Sequence, residues 1–287
     1  MNPFQYYEPE TLEGACLLLS KFGKEARILA GGTDLLVQMR KGSLAPGHVI
    51  NIKKIKDLDF IRQNSDGYRL GALATISEIA AHDGLEKTFP IMVSSARSIG
   101  SAQIRNLATL GGNVCNASPS ADMSPGLMVL EANLKVVGPS NSRVLPIADF
   151  LVGPGRVDLG EGEMVSEVIV PFPPENTKMI YYKLGPRKAM DCAVVSVAVA
   201  ISLNGVTGQC ERARIALGAV APTPIRVREA EKLVEGRGVE EISLVQIAEA
   251  VRHGIAPITD VRGSAEYRYD TAATLTVRAV QTLISLC

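Results

Sequence analysis

Apolar positions along the chain switch between two spacings. Over residues 10–22 they recur as Leu12, Ala15, Cys16 and Leu19, with Gly23 behind them. Steps of three and four place them on one face of a helix, and the glycine ends it. Residues 27–30 form a short strand-like run, Gly31-Gly32 breaks it, and 34–40 resume a helical pattern. A second strand is expected over 49–52. The opening segment therefore predicts a small α/β unit with a glycine turn at the C-terminal end of a strand, where open α/β sheets hold ligands.

The same reasoning continues along the chain. Residues 68–73 predict a strand, and Thr75-Ile76-Ser77-Glu78 is a capping box for a helix through Ala81. Helices are expected over 90–99 and 124–131, and strands over 134–137, 144–147 and 165–170. The run Pro171-Phe172-Pro173-Pro174-Glu175-Asn176 marks a linker. Beyond it, 180–183, 194–203 and 212–220 predict strands of one antiparallel sheet, followed by helices over 228–234, 243–251 and 265–284. A sheet followed by a helical layer indicates a separate α+β domain. The expected division is 1–174, with subdomains of about 1–56 and 57–174, and 177–287.

Composition narrows the classes of function. The chain has 287 residues, 46% of them hydrophobic and 21% charged, with 30 basic and 30 acidic side chains. A balanced charge without a basic stripe argues against nucleic acid. No apolar run is long enough to cross a bilayer, and the N-terminus lacks the pattern of a signal peptide, so a cytoplasmic location is expected. Cys16, Cys115, Cys192, Cys210 and Cys287 are scattered and form no C-x-x-C pair. That argues against a disulfide framework, a zinc site or an internal iron–sulfur cluster. His48, His82 and His253 show no metal-ligand spacing, and no metal is expected on this chain.

The chemistry concentrates in two glycine motifs. The first is Ile28-Leu29-Ala30-Gly31-Gly32-Thr33-Asp34-Leu35. The second is Thr109-Leu110-Gly111-Gly112-Asn113, continuing as a polar loop through Asn116, Ser118 and Ser120 to Asp122. Glycine pairs let the backbone approach a ligand, and exposed turn amides bind anions. Two such motifs suit two clamps on one extended anion such as a dinucleotide. The plainer reading of the first is a strand-to-helix turn capped by Thr33 or Asp34; that of the second is a capped surface loop. Asp34 itself would repel a phosphate, so the amides of Gly31 and Gly32 would have to bind it. A third segment, from Lys183 to Cys192, is either an exposed connection or a loop covering a ligand. No Ser-His-Asp set, carboxylate pair or P-loop is present, so no catalytic side chain is assigned. The reactivity is expected to reside in a bound cofactor.

Residues Leu29 to Asp34, Gln103 to Asn113 and Ala221-Pro222-Thr223-Pro224-Ile225-Arg226 resemble the FAD-binding medium subunits of molybdenum hydroxylases. That family includes the flavin subunits of bacterial xanthine dehydrogenase and carbon monoxide dehydrogenase. The resemblance runs from Phe4 to about Val280. It implies an α+β architecture: a PCMH-type, vanillyl-alcohol-oxidase-like FAD region of two α/β subdomains, and a C-terminal α+β flavoprotein domain. It implies noncovalent FAD, with Ile28 to Leu35 and Thr109, Gly111, Gly112 and Asn113 at the pyrophosphate and Asp122 at the ADP moiety. Ile99, Gly100 and Val165 would line the flavin, and Lys183 would approach it. It further implies a heterotrimer with a large molybdopterin subunit, a small subunit carrying two 2Fe-2S clusters, and an acceptor such as NAD. Neither the molybdenum cofactor nor the clusters would sit on this chain. A self-contained flavin reductase or oxidase, or an assembly module without FAD, are the alternatives.

Overall fold

The structure is a computed structural model and describes residues 2–187 and 189–286. Three parallel strands open the chain: Gln5–Tyr7, Ala26–Leu29 and, between them in the sheet, His48–Asn51. Parallel neighbours need crossovers, and two helices supply them. In Leu12–Phe22 the Thr11 hydroxyl caps the first turn by accepting from the Gly14 amide, and Gly23 at φ 48° ends the last. Leu35–Lys41 ends at Gly42, in the left-handed region at φ 74°. Ala15, Cys16, Ile50 and Ile52 form the core of this unit.

The second sheet is five-stranded and antiparallel, ordered Ile61–Gln63, Gly67–Gly71, Met164–Pro171, Asn133–Val137, Ser142–Pro146. Its middle strand is contributed last in the chain. Six short helices lie in the sequence between Gly67–Gly71 and Asn133–Val137, and Phe89, Met92, Leu110, Val114 and Leu127 pack them against Leu70, Leu134 and Val168. The capping box forms as expected: Glu78 donates its amide to Thr75 Oγ1 and its carboxylate accepts from the Thr75 amide. Three of the helices, Asp83–Thr88, Ala102–Leu107 and Leu110–Cys115, were not anticipated. The second glycine motif is thus the first turns of a helix rather than an open loop.

Beyond the linker, Thr177–Leu184, Val195–Leu203, Cys210–Gly218 and Ile225–Arg226 form an antiparallel sheet in that order. Helices Arg228–Lys232, Leu244–Gly254 and Ala265–Ile284 follow. Every residue of Val195–Leu203 is buried, and the alternation explains why. Val195, Val197, Val199 and Ile201 face one way, into the core shared with the C-terminal helices. Ala198 and Ala200 face the other, into the core of the preceding domain. Small side chains on that face let the sheet lie close on Pro90–Arg97 and Met123–Val129.

An ion network locks the same interface. Glu131, at φ 52°, holds Arg214 Nε at 2.7 Å and Arg226 Nη1 at 3.0 Å on one carboxylate oxygen, and Arg212 on the other. Glu231 and Glu235 take the remaining donors of Arg226 and Arg214.

Candidate functional site

The two glycine motifs, far apart in the sequence, touch in the fold. A Cβ on Gly31 would overlap the Leu107 carbonyl oxygen and stand 3.1 Å from Ala108 Cα. Only a hydrogen fits there, so packing of one motif on the other requires the glycine. Residues 108–111 are in turn stitched to 72–76. The Ile76 amide donates to the Ala108 carbonyl, Leu110 to Ala74, and Gly111 to Ala72, each at 2.9 Å.

Their amides are used differently. In the first motif, the amides of Gly31, Gly32, Thr33, Asp34 and Leu35 donate to no group among the described residues. Gly32 holds φ 75°, and its carbonyl accepts from the Leu36 amide at 3.1 Å, so the turn is fixed while its donors stay open. Asp34 makes no capping bond, contrary to expectation. In the second motif the amides at 110–113 are occupied. Gly111 donates to Ala72, Gly112 to Thr109 Oγ1 at 3.1 Å, and Asn113 to the Thr109 carbonyl at 2.9 Å. A Cβ on Gly111 would meet Ala72 at 2.8 Å, so that glycine serves protein packing. What the second motif leaves open is the Thr109 amide, which donates to no group among the described residues, and the Asn113 side-chain carbonyl, buried without a partner. The Ser124 hydroxyl nearby in sequence is likewise buried and unpartnered.

A third group of residues gathers across the domain interface. Lys183 Nζ donates to Asp122 Oδ2 at 2.8 Å and to the carbonyls of Ser98 and Asp191 at 3.0 Å each. Tyr181 donates to Asp122 Oδ1 at 2.9 Å. Burial pushes the Asp122 carboxyl above its ordinary range, and the Lys183 ammonium and the bonds from Lys183 and Tyr181 oppose that shift. The Ser98 contact brings Lys183 beside Ile99 and Gly100. Ile99 is buried, Gly100 holds φ 46°, and both carbonyls accept from Arg105 Nη1. Val165 is buried at a register shift in Met164–Pro171. Tyr181 escaped the sequence reading, although it lies two residues from Lys183 on one strand and so shares its face. In the 185–192 loop, Asp191 Oδ2 accepts from the Arg187 amide at 2.8 Å and packs against Gly185; Cys192 is exposed, and Lys188 lies outside the described residues.

Residues 2–173 match the model of the FAD-binding domain in molybdopterin dehydrogenase, and 180–283 that of the CO dehydrogenase flavoprotein C-terminal domain. The chain belongs to the FAD-binding subunits of the molybdopterin dehydrogenases. Its relatives match along their length. The glyceraldehyde dehydrogenase medium chain of Sulfolobus acidocaldarius is 34% identical over 276 residues, 96% of each chain. The carbon monoxide dehydrogenase medium chain of Afipia carboxidovorans is 34% identical over 97% of this chain and 96% of that one. The xanthine dehydrogenase FAD-binding subunit of Escherichia coli O157:H7 is 32% identical over 98% and 96%. Reconstituted CO dehydrogenase from Oligotropha carboxidovorans superposes with a TM-score of 0.94 at 32% identity, covering 99% of this chain and 98% of that one.

The cofactor of this oxidoreductase subunit is FAD, and the residues present fit it. Open amides at 31–35 suit a pyrophosphate. The unpartnered Asn113 carbonyl is an acceptor, which suits a cofactor hydroxyl rather than a phosphate oxygen. Burial pushes the thiol of Cys115, next to the second motif, up to about 12, which disfavours its thiolate.

Proposed function

We propose that this chain is the electron-transfer subunit of a three-subunit molybdenum hydroxylase. It would assemble with a large molybdopterin subunit and a small subunit bearing two 2Fe-2S clusters. When bound, FAD supplies two-electron storage between those iron–sulfur donors and an acceptor, NAD or another. The chain's own residues hold and orient it. In this reading Ile28 to Leu35 seat the pyrophosphate, and Thr109 to Asn113 complete the seat through the Gly31–Leu107 contact, with the Asn113 carbonyl accepting from a cofactor hydroxyl. Asp122, tied to Lys183 and Tyr181, joins the C-terminal domain to the site, while Ile99, Gly100 and Val165 line the ring. Residues 1–174 form the FAD-binding domain, and 177–287 close over it. FAD is noncovalent.

The observation that carries this reading is the row of open amides at 31–35 set against the second motif, in a chain matched along its length by flavin subunits. Co-purification of the native complex tests it. A large chain and a small iron–sulfur chain should accompany this one, and the flavin should be reduced by the substrate only in the assembled complex. Purification of an active flavoenzyme from this chain alone would contradict it.

A further inference from the structure

Within the polar turn 116–122 the Ala121 amide donates to the Ser118 carbonyl at 3.0 Å and the Ser120 amide to Ser118 Oγ at 3.3 Å. The Ala117 carbonyl accepts from the Gly155 amide at 3.0 Å, and the Ser118 and Ser120 hydroxyls stand 3.2 Å apart. Besides the bonds of Lys183 and Tyr181 to Asp122, the C-terminal domain supplies two further holds. The Ala219 amide donates to the Pro119 carbonyl at 2.7 Å, and Arg262 Nη1 donates to Ser120 Oγ at 3.3 Å.

Both contacts trace back to one buried guanidinium. Arg268, its side chain 1% exposed, donates through Nη1 to the carbonyls of Val194 and Ala219 at 2.7 and 2.9 Å. Its Nη2 donates to Asp260 Oδ1 at 2.7 Å. These three bonds offset the cost of burying the guanidinium, while its Nε is buried with no partner among the described residues. Asp260 also accepts from Arg262: Nε and Nη2 on Oδ2 at 3.0 and 2.6 Å, and the amide on Oδ1 at 2.8 Å. Two guanidiniums on one carboxylate fix the Arg262 fork and leave a net positive charge beside the serines. Arg268 meanwhile holds the Val194 carbonyl, two residues beyond the 185–192 loop.

We propose that Arg262 is a positioning residue for FAD: braced by Asp260 and Arg268, it acts through Ser120 to hold the 116–122 turn in its cofactor-ready conformation. The inference rests on the FAD seat proposed above. It requires Arg262 and Ser120 to behave as one unit. Lys retains the charge of Arg262 but not the fork that grips Asp260 and Ser120 together, so it should restore function only in part.

The test uses the full chain stripped of flavin, as wild type, R262A, R262K, S120A and the R262A/S120A double variant. FAD affinity is read by quenching of flavin fluorescence, and the order of 116–122 by amide hydrogen exchange without FAD. R262A and S120A should each weaken FAD about tenfold, and the double variant no further, because coupled partners are not additive. R262K should fall between R262A and wild type. Exchange should quicken over 118–122 in R262A while the helix Ala265–Ile284 keeps its wild-type protection. Wild-type affinity and exchange in R262A, or losses that add in the double variant, would overturn the proposal. Should the wild-type chain take up no FAD, the seat itself is wrong. The exchange result then decides separately whether Arg262 orders the turn, and wild-type exchange in R262A overturns it.

Discussion

Lys183 Nζ lies 2.8 Å from Asp122 Oδ2, with only 9% of either side chain exposed, and this contact joins the C-terminal sheet to the polar turn of the FAD domain. Removing one member leaves the other charge buried and unpaired, which costs about 3–5 kcal/mol. Lys183→Met should therefore lower the unfolding midpoint more than the double variant Lys183→Met with Asp122→Asn, which removes both charges. Thermal unfolding of the three proteins checks the order. A single variant no less stable than the double would show that the pair is not coupled.

The glycines of the two motifs should separate by phenotype. Gly31→Ala places a methyl against the Leu107 carbonyl and pushes the motifs apart, so FAD content should collapse in step with the seat. Gly111→Val meets Ala72 in the core, and overpacking there costs about 1–3 kcal/mol. Its primary defect should be a lower unfolding midpoint, with flavin loss following. Flavin content measured beside thermal unfolding distinguishes the two.

Glu131 should act as an interdomain clamp with a backbone cost. Glu131→Ala frees Arg212, Arg214 and Arg226 from one carboxylate, and charged hydrogen bonds contribute about 1.5–3 kcal/mol each. The site also holds φ 52°, which glycine adopts without strain. Glu131→Gly should therefore be less destabilising than Glu131→Ala, as urea unfolding would show. Equal losses would mean the left-handed backbone contributes nothing.

Acid sensitivity should map to Asp260. Its carboxyl is held well below the ordinary carboxylate range, first by the hydrogen bonds from Arg262 and further by the charges of Arg262 and Arg268. A depressed folded value gives stability that is present above the unfolded value of 3.8 and lost as pH falls through the folded one. Wild type should lose stability progressively below about pH 4, and Asp260→Asn should be less stable at neutral pH but flatter over that window. Unfolding midpoints from pH 6 to 2.5 give both slopes; parallel slopes would remove Asp260 from the account.

Most elements were legible because their burial is one-sided and their spacing regular. The helix 265–284 and the strand 195–203 are cases where period and burial agree. Asp83–Thr88, Ala102–Leu107 and Leu110–Cys115 were not, since six residues give too few turns for a periodic signal, and in the last a glycine pair also weakens helix propensity. The first motif's open turn followed from its glycines alone. The use of the second motif's amides depended on Ala72 and Thr109, and the contact with Ala72 is a tertiary one. Likewise nothing local marks Arg268 as a buried brace, because its partners Val194, Ala219 and Asp260 lie on three separate segments.

Asp191 offers a test of the 185–192 loop. Its carboxylate shapes the turn through the Arg187 amide, and its carbonyl accepts from Lys183. Asp191→Ala should alter turnover with the external acceptor in the assembled complex while FAD stoichiometry stays near normal. Flavin lost in proportion to activity would make the loop a binding element instead.

The central claim is that open amides at 31–35 seat a noncovalent FAD. The most direct measurement is acid precipitation of the flavin-loaded chain, with chromatography of the supernatant, for wild type and Gly31→Ala. The account predicts one FAD per wild-type chain, all of it in the supernatant and none as FMN, and almost none bound by Gly31→Ala. Flavin retained in the pellet, released as FMN, or bound equally by the variant would contradict it.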